Sequence, residues 1–218
     1  TEHEINIARE NNIQVVIHKM SQFKFIGKDD NELGLWVKVN TGMNRLGLSH
    51  EELKEAYENG IISSDSVLMT HMACADNPDD PMNEMQINKF EKAFDIVERK
   101  TKRSICNSAC LMNFPQLSFD WVRSGIAAYG GESKNLNLKT AMTFRAPIIS
   151  IRKIRKGERV GYGGRKIASK DMRIAIVYAG YADGIPQTTI DGTKVMVNDK
   201  QAVIFGRVSM DCLLYTSD

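Results

Sequence analysis

The sequence predicts an α/β domain followed by an all-β domain, and three observations carry that expectation. Short apolar runs alternate with helical patterns through the first half. After Gly130-Gly131 the helical periodicity stops and only strand-like runs continue. Strand–helix alternation implies parallel strands joined by right-handed crossovers, whereas runs of strands alone imply an antiparallel sheet. The third observation is a count. A closed (β/α)8 barrel needs eight strands and about 250 residues, but roughly five strands precede the change in grammar. The sheet is therefore either small and open or a partial barrel.

The elements follow in order. Thr1 opens directly onto an amphipathic pattern carrying Ile5 and Ala8. Candidate parallel strands are Ile13–Ile17, Leu35–Val39, Ser66–Met72, Ser104–Ala109 and Trp121–Ile126, all rich in Val, Ile or Leu. Between them, Ser49 with Glu52 forms a capping box, and Gly60 sits where a glycine ends that helix. After Pro81, Ile87, Phe90, Phe94 and Val97 line one face of a longer helix. The second domain begins near residue 136, with strands expected at Thr143–Ile154, Arg173–Tyr181, Lys194–Val197 and Ala202–Met210. Turn clusters such as Arg155-Lys156-Gly157-Glu158 and Val197-Asn198-Asp199-Lys200 separate them. The start at Thr1 rather than methionine, and the end at Leu213–Asp218 without a capping signal, make a piece of a longer protein the expectation.

Composition narrows the class. A 42% hydrophobic chain with net charge +2 has the material for a core and no global bias towards nucleic acid or a charged surface. No apolar run has bilayer-spanning length, and no signal-peptide pattern opens the chain. The four cysteines, Cys74, Cys106, Cys110 and Cys212, form no CxxC pair, which favours free thiols in a reducing cytoplasm. One local bias stands out. Between Arg152 and Arg173 nine residues are basic against Glu158 and Asp171. A nucleic-acid-binding β-module would use such a run, but no aromatic stacking residues interleave it.

Four strand ends carry polar groups: Lys38 through Arg45, Thr70-His71, Asn107-Ser108 and Arg123-Ser124-Gly125. Taken singly, each is best read as a cap, a surface ion-pair partner or a satisfied core group. Taken together they point elsewhere, because C-terminal strand ends of an α/β barrel face one shared pocket, and the last strands commonly build a phosphate site there. Ser108 supplies a hydroxyl, and glycine at 125 lets main-chain N–H groups approach an anion. No metal site is predicted.

These motifs resemble the alanine racemase family, the pyridoxal 5'-phosphate enzymes of fold type III. The stretch Val37-Lys38-Val39-Asn40-Thr41-Gly42-Met43-Asn44-Arg45-Leu46-Gly47 is similar to the family fingerprint, with Asn40 where an aspartate is common. Thr70-His71, Asn107-Ser108-Ala109, Val122–Ile126, Tyr129-Gly130, Val160–Gly164, Gly180–Gly184 and Gly206–Asp211 then recur in the family's order.

The resemblance implies a fold and a set of roles. Residues 1–135 would be the later part of a (β/α)8 barrel, about five of its eight strands, and residues 136–218 a truncated antiparallel β-domain. Ser108 with the backbone of Gly125 and Ile126 would hold the cofactor phosphate, and Arg123 would face the pyridine nitrogen. His71 would lie between Arg123 and the tyrosine base Tyr162. Arg45 would meet the substrate carboxylate and the cofactor hydroxyl, and Lys38 matches a position carbamylated in some members. Tyr162, Tyr181, Met210 and Asp211 would enter the pocket of the partner subunit, making a homodimer part of the active site. The activity implied is interconversion of L- and D-alanine in the cytoplasm for cell-wall precursor supply.

Racemisation needs one base on each face of Cα. A tyrosine serves only beside cationic groups, since a free phenol titrates at about 10. The opposite base, a lysine followed by a small run and Tyr-Gly-His-Gly, is absent from these 218 residues; Lys19, Lys24 and Lys28 lack that context. The polypeptide alone is therefore expected to be inactive. Two rivals share the fold type. A non-catalytic pyridoxal-phosphate-binding barrel protein has no appended β-domain, and an amino-acid decarboxylase fits the Val160–Gly164 and Gly206–Asp211 motifs less well.

Overall fold

The computed structural model describes residues 1–26, 33–131 and 138–216. It divides into two compact units, Thr1–Met142 and Thr143–Asp218. The expected boundary at 135/136, and Lys28, lie outside the described residues.

In the first unit, Thr1 and Glu4 cap each other reciprocally, starting α1 (Glu2–Glu10) and turning Ile5 and Ala8 into the core. Four strands, β1 (Val15–Ile17), β2 (Leu35–Lys38), β3 (Val67–Met69) and β4 (Lys102–Ser104), pair in sequence order. All three pairings are parallel. One face, carrying Leu35, Val37 and Leu68, shares a core with Leu53 and Ala56 of α2 (His50–Glu58) and with Phe90, Ala93 and Phe94 of α3 (Pro81–Ile96). Each fully buried Leu or Phe contributes about 1.5–3 kcal/mol. The predicted caps of α2 form, and α3 adds one that was not predicted. Ser49 and Glu52 box the start of α2, whose end passes through Gly60 at φ +70°; Asp80 caps α3 with Pro81 in its first turn.

Two strand expectations are corrected. The run expected at Ser104–Ala109 leaves the sheet at Ser104, because the Asn107 side chain accepts the Cys110 N–H and starts α4 (Ser108–Asn113). The fifth expected strand, Trp121–Ile126, is not regular. It follows β4 through two main-chain bonds, Trp121 N–H to Arg103 O and Arg123 N–H to Cys106 O. Side chains replace the remaining ladder: Asp120 accepts the Arg103 N–H at 2.7 Å, and the Ser104 hydroxyl donates to Trp121 O at 2.8 Å. Gly125, at ψ −91°, then breaks the extended run into a 3-10 turn, Ile126–Tyr129.

The second unit contains no α-helix among its described residues. Its main sheet runs β5 (Ile148–Ile154), β8 (Met172–Val177), β11 (Leu213–Thr216), β10 (Lys200–Ile204), β9 (Lys194–Val197), and every pairing is antiparallel. A two-stranded ribbon, β6 (Arg159–Val160) and β7 (Lys166–Ile167), sits apart in the pairing. The expected Thr143 strand begins only at Ile148, and the expected 202–210 strand ends at Ile204, with Gly206 at φ +96°. Leu213–Thr216, which the turn pattern left unassigned, is the middle strand: Leu213 and Tyr215 are buried and pair with β8.

Candidate active site

Parallel strands point their C-terminal ends to one edge, so the chain leaves β2, β3 and β4 at a common rim. Lys38 is the last residue of β2, His71 follows β3 by two residues, and Ser108 opens α4 just beyond β4. Arg45 lies in the loop that β2 feeds. That loop is tied by Asn40, whose amide oxygen accepts the Gly42 and Asn44 N–H groups at 3.1 and 3.0 Å while its NH2 donates to Asn44 Oδ1. The asparagine therefore performs the loop-closing task open to an aspartate, without the negative charge.

Arg123 binds the rim from below. Its guanidinium donates to the Ser104 hydroxyl and to Thr70 O, and at 3.4 Å to Ile105 O. Three donors to three fixed oxygens pin the group beside the His71 main chain. Lys38, Thr41, Met43, Arg45, Thr70 and His71 line a small pocket there, and among the described residues no carboxylate lines it.

The charges follow from this crowding. Burial, then the cations Arg123, Arg45 and Lys38, push the His71 imidazole down from 6.5 to about 4. Burial, then Arg45 and Arg123, also lower the Lys38 ammonium from its ordinary value. Asn107 agrees with a neutral His71. Its oxygen is taken by the Cys110 N–H and its NH2 donates to Met72 O, so it presents a donor to His71 Nε2 across a long 3.5 Å contact. Nε2 is the unprotonated nitrogen in that arrangement.

At Ser108 the side chain is 4% exposed, and its oxygen accepts the Ala127 N–H at 3.1 Å. That bond holds α4 against the turn following Gly125. A Cβ built on Gly125 meets nothing within 4 Å, so open space lies before this backbone. Among the described residues no acceptor faces the Gly125 and Ile126 N–H groups. The flanking thiols of Cys106 and Cys110 lie 3.0 Å apart, and all four cysteines are free.

In the second unit, Tyr162 is 69% exposed in a turn where Gly161 and Gly163 adopt φ +72° and +74°, the tight loop the flanking glycines predict. Gly180 makes a closer contact: a Cβ there would lie 2.1 Å from Met210 O. Without that side chain, the Tyr181 and Ala182 N–H groups reach Ser209 O and Met210 O, both at 3.0 Å. Tyr181, Met210 and Asp211 are thereby grouped. A groove of about 870 Å³ in this unit, beside Lys153, Arg155 and Arg173, contains none of the expected site residues.

The structure thus gathers Lys38, Arg45, His71, Arg123 and Ser108 along one rim of the first unit, and Tyr181, Met210 and Asp211 together in the second. The sequence reading missed Gln86, and it gave Thr41 and Asn107 no role of their own within the motifs that contain them. A polar Gln86 on the apolar stripe of α3, four residues before Phe90, was the available signal.

Known proteins match along the whole chain. Two family profiles cover it, "Alanine racemase, N-terminal domain" over residues 1–133 and "Alanine racemase, C-terminal domain" over residues 141–216. An alanine racemase of Vesicomyosocius okutanii is 41% identical over 96% of this chain and 61% of its own length. The structure of alanine racemase from Acinetobacter baumannii aligns at TM-score 0.84 and 37% identity, covering 99% of this chain and 64% of that one. That of Bartonella henselae, described as carrying covalently bound pyridoxal phosphate, aligns at 0.76 and 25% identity over 97% and 62%. The chain spans somewhat under two thirds of the length of these relatives.

Proposed function

This chain belongs to the alanine racemase family, and on that premise we propose that the protein interconverts L- and D-alanine with pyridoxal 5'-phosphate. The observation that carries the proposal is the cationic rim of Arg123, Arg45 and Lys38 around His71, where Ser108 and the Gly125 and Ile126 N–H groups, which meet no acceptor among the described residues, lie just beyond Asn107 and Arg123.

The residues fit the cofactor. Ser108 and the N–H groups of Gly125 and Ile126 would hold its phosphate, with open space before Gly125. Arg123 would meet the ring nitrogen as a hydrogen-bond donor, and an arginine does not readily surrender its proton. Bound pyridoxal phosphate would acidify the substrate Cα–H by drawing electron density into its ring, less strongly when its nitrogen stays unprotonated. Arg45 would orient the substrate carboxylate. Lys38, its amine made more available by burial and neighbouring cations, would add carbon dioxide, releasing a proton and leaving a carbamate anion beside Arg45.

Tyr162 Oη would take the Cα proton from one face or return it there. Its exposure on the second unit suits delivery to a partner subunit, with Tyr181, Met210 and Asp211, in a homodimer. No lysine in these residues carries the context of the opposite base. The appended β-unit with its own family match weighs against a non-catalytic barrel protein. Free thiols, and the lack of any helix long and apolar enough to cross a membrane among the described residues, fit a cytoplasmic enzyme.

The test has two arms. A polypeptide of residues 1–218 given pyridoxal phosphate and L-alanine should make no D-alanine in a coupled oxidase assay. Turnover above buffer, abolished by Tyr162→Phe, would overturn the assignment of the second base. A chimera carrying a relative's lysine-bearing segment ahead of Thr1 should racemise alanine, and Tyr162→Phe should lower its rate by about 10²–10⁴-fold. Carbon dioxide release in place of D-alanine would favour the decarboxylase.

A further inference from the structure

We infer that Gln86, a buried residue of α3, is a positioning residue for His71, clamping the His71–Ala73 turn and linking it to the loop that carries Arg45. The inference takes its catalytic meaning from the reading of His71 above, but its geometry is independent of it.

Gln86 is fully buried on a helix face that also carries Asn83, Phe90, Ala93 and Phe94. An amide is costly there unless its hydrogen-bonding capacity is met, and here it is. Gln86 Oε1 accepts the Ala73 N–H at 2.8 Å. Nε2 donates to His71 O at 3.0 Å and to Thr41 Oγ1 at 3.1 Å. The first bond fixes which end of the amide is oxygen, so the other two must be donations.

The chain continues with a determined direction. Thr70 Oγ1 donates to Val39 O at 2.9 Å, which uses its only proton. In the 2.8 Å pair between Thr41 and Thr70, both about 1% exposed, Thr41 is therefore the donor. Protons run one way from Gln86 through Thr41 and Thr70 to the end of β2. Such one-way chains reinforce themselves in a low-dielectric core.

The two bonds at residues 71 and 73 bracket Met72, so the main chain that aims His71 cannot rotate without breaking one of them. Asn83, one turn earlier on α3, donates to Cys74 O and Asn77 O and holds the next stretch of the same loop. A leucine at position 86 would fill the space but leave the Ala73 N–H and His71 O without their partner and take from Thr41 Oγ1 the donor it accepts.

The experiment follows His71 by side-chain NMR in the 218-residue chain without cofactor, where only four histidines contribute and His3 serves as reference. Around His71 the charged groups are Lys38, Arg45 and Arg123. Gln86→Met, similar in size but without the amide, should raise the His71 midpoint by about one pH unit or more towards its ordinary value and mix its two tautomers. Gln86→Asn, which folds more readily but is one methylene short, should move it the same way by less. Thr41→Val cuts the branch to the Arg45 loop, leaves both clamps on the turn, and should lower the melting temperature without moving His71.

A melting temperature that falls in both Gln86 variants while the His71 midpoint and tautomer stay as in the wild type would overturn the proposal, leaving Gln86 a packing residue. So would a His71 shift in Thr41→Val as large as in Gln86→Met, since general loosening would then explain both. Pyridoxal phosphate binding, read separately by absorbance, tests the catalytic reading: its absence removes the role of His71 and leaves the clamp standing.

Discussion

Lowering the pH from 7 to 4 should destabilise the first unit through His71. The unfolded imidazole takes up a proton near 6.5, whereas the folded one does so only near 4. Between those values the unfolded state binds more protons, so stability is full above 6.5 and is lost as the pH falls towards 4. Two and a half units at about 1.4 kcal/mol each set a ceiling of ~3.5 kcal/mol, and screening of a half-buried ring brings this to roughly 2 kcal/mol. Urea unfolding read by tryptophan fluorescence isolates the unit, because Trp36 and Trp121, the chain's two tryptophans, both lie in it with ring centroids 5.7 Å apart. Carboxylates also titrate at the low end, so the quantity to compare is wild type minus His71→Asn at each pH. That difference should shrink from pH 7 to 4 by about 2 kcal/mol. Parallel curves across the range would refute the reasoning, since His71 would then titrate alike in both states.

Two further outcomes follow from the same rim. Arg123→Met should cost about 3 kcal/mol or more in urea unfolding, because Thr70 O, Ser104 Oγ and Ile105 O lose a buried donor. The same variant should raise the His71 midpoint by removing its foremost cationic neighbour. Ser108→Ala should cost about 1 kcal/mol through the lost Ala127 bond. It should also weaken pyridoxal phosphate binding by about tenfold in calorimetry, while binding of pyridoxal, which lacks the phosphate, stays unchanged.

What the sequence made legible follows the range of the interactions. Caps and stripes are local, so Ser49 with Glu52, Gly60 and the Phe90–Phe94 face were readable from spacing alone. The switch to an antiparallel unit was readable because turn chemistry and the loss of 3.6-residue periodicity are local too. Trp121–Ile126 looked like a strand because its composition is strand-like, but composition cannot show that Asp120 and Ser104 will satisfy the backbone groups a ladder needs. Leu213–Thr216 was opaque for a similar reason. Four residues become a central strand only through pairing with Ala175–Val177 and Val203–Ile204, which lie distant in sequence or across a turn.

The site shows the same division. Lys38, His71, Ser108 and Arg123 were legible as a set because parallel topology brings the ends of β2, β3 and β4 to one rim, and the irregular run bearing Arg123 follows β4 to the same place. The groups that hold them were not. Gln86 lies 15 residues from His71 and 45 from Thr41, and no periodicity links the three. A buried polar residue on an apolar stripe is nevertheless a readable anomaly. It asks which backbone groups it satisfies, and in a barrel-type sheet the unsatisfied ones lie where the chain leaves its strands. A glutamine at the inner face of a crossover helix thus points to the rim before any distance is measured. The reason is energetic: an apolar side chain would leave the amide's partners, Ala73 N–H and His71 O, to find others in a core that has none to spare.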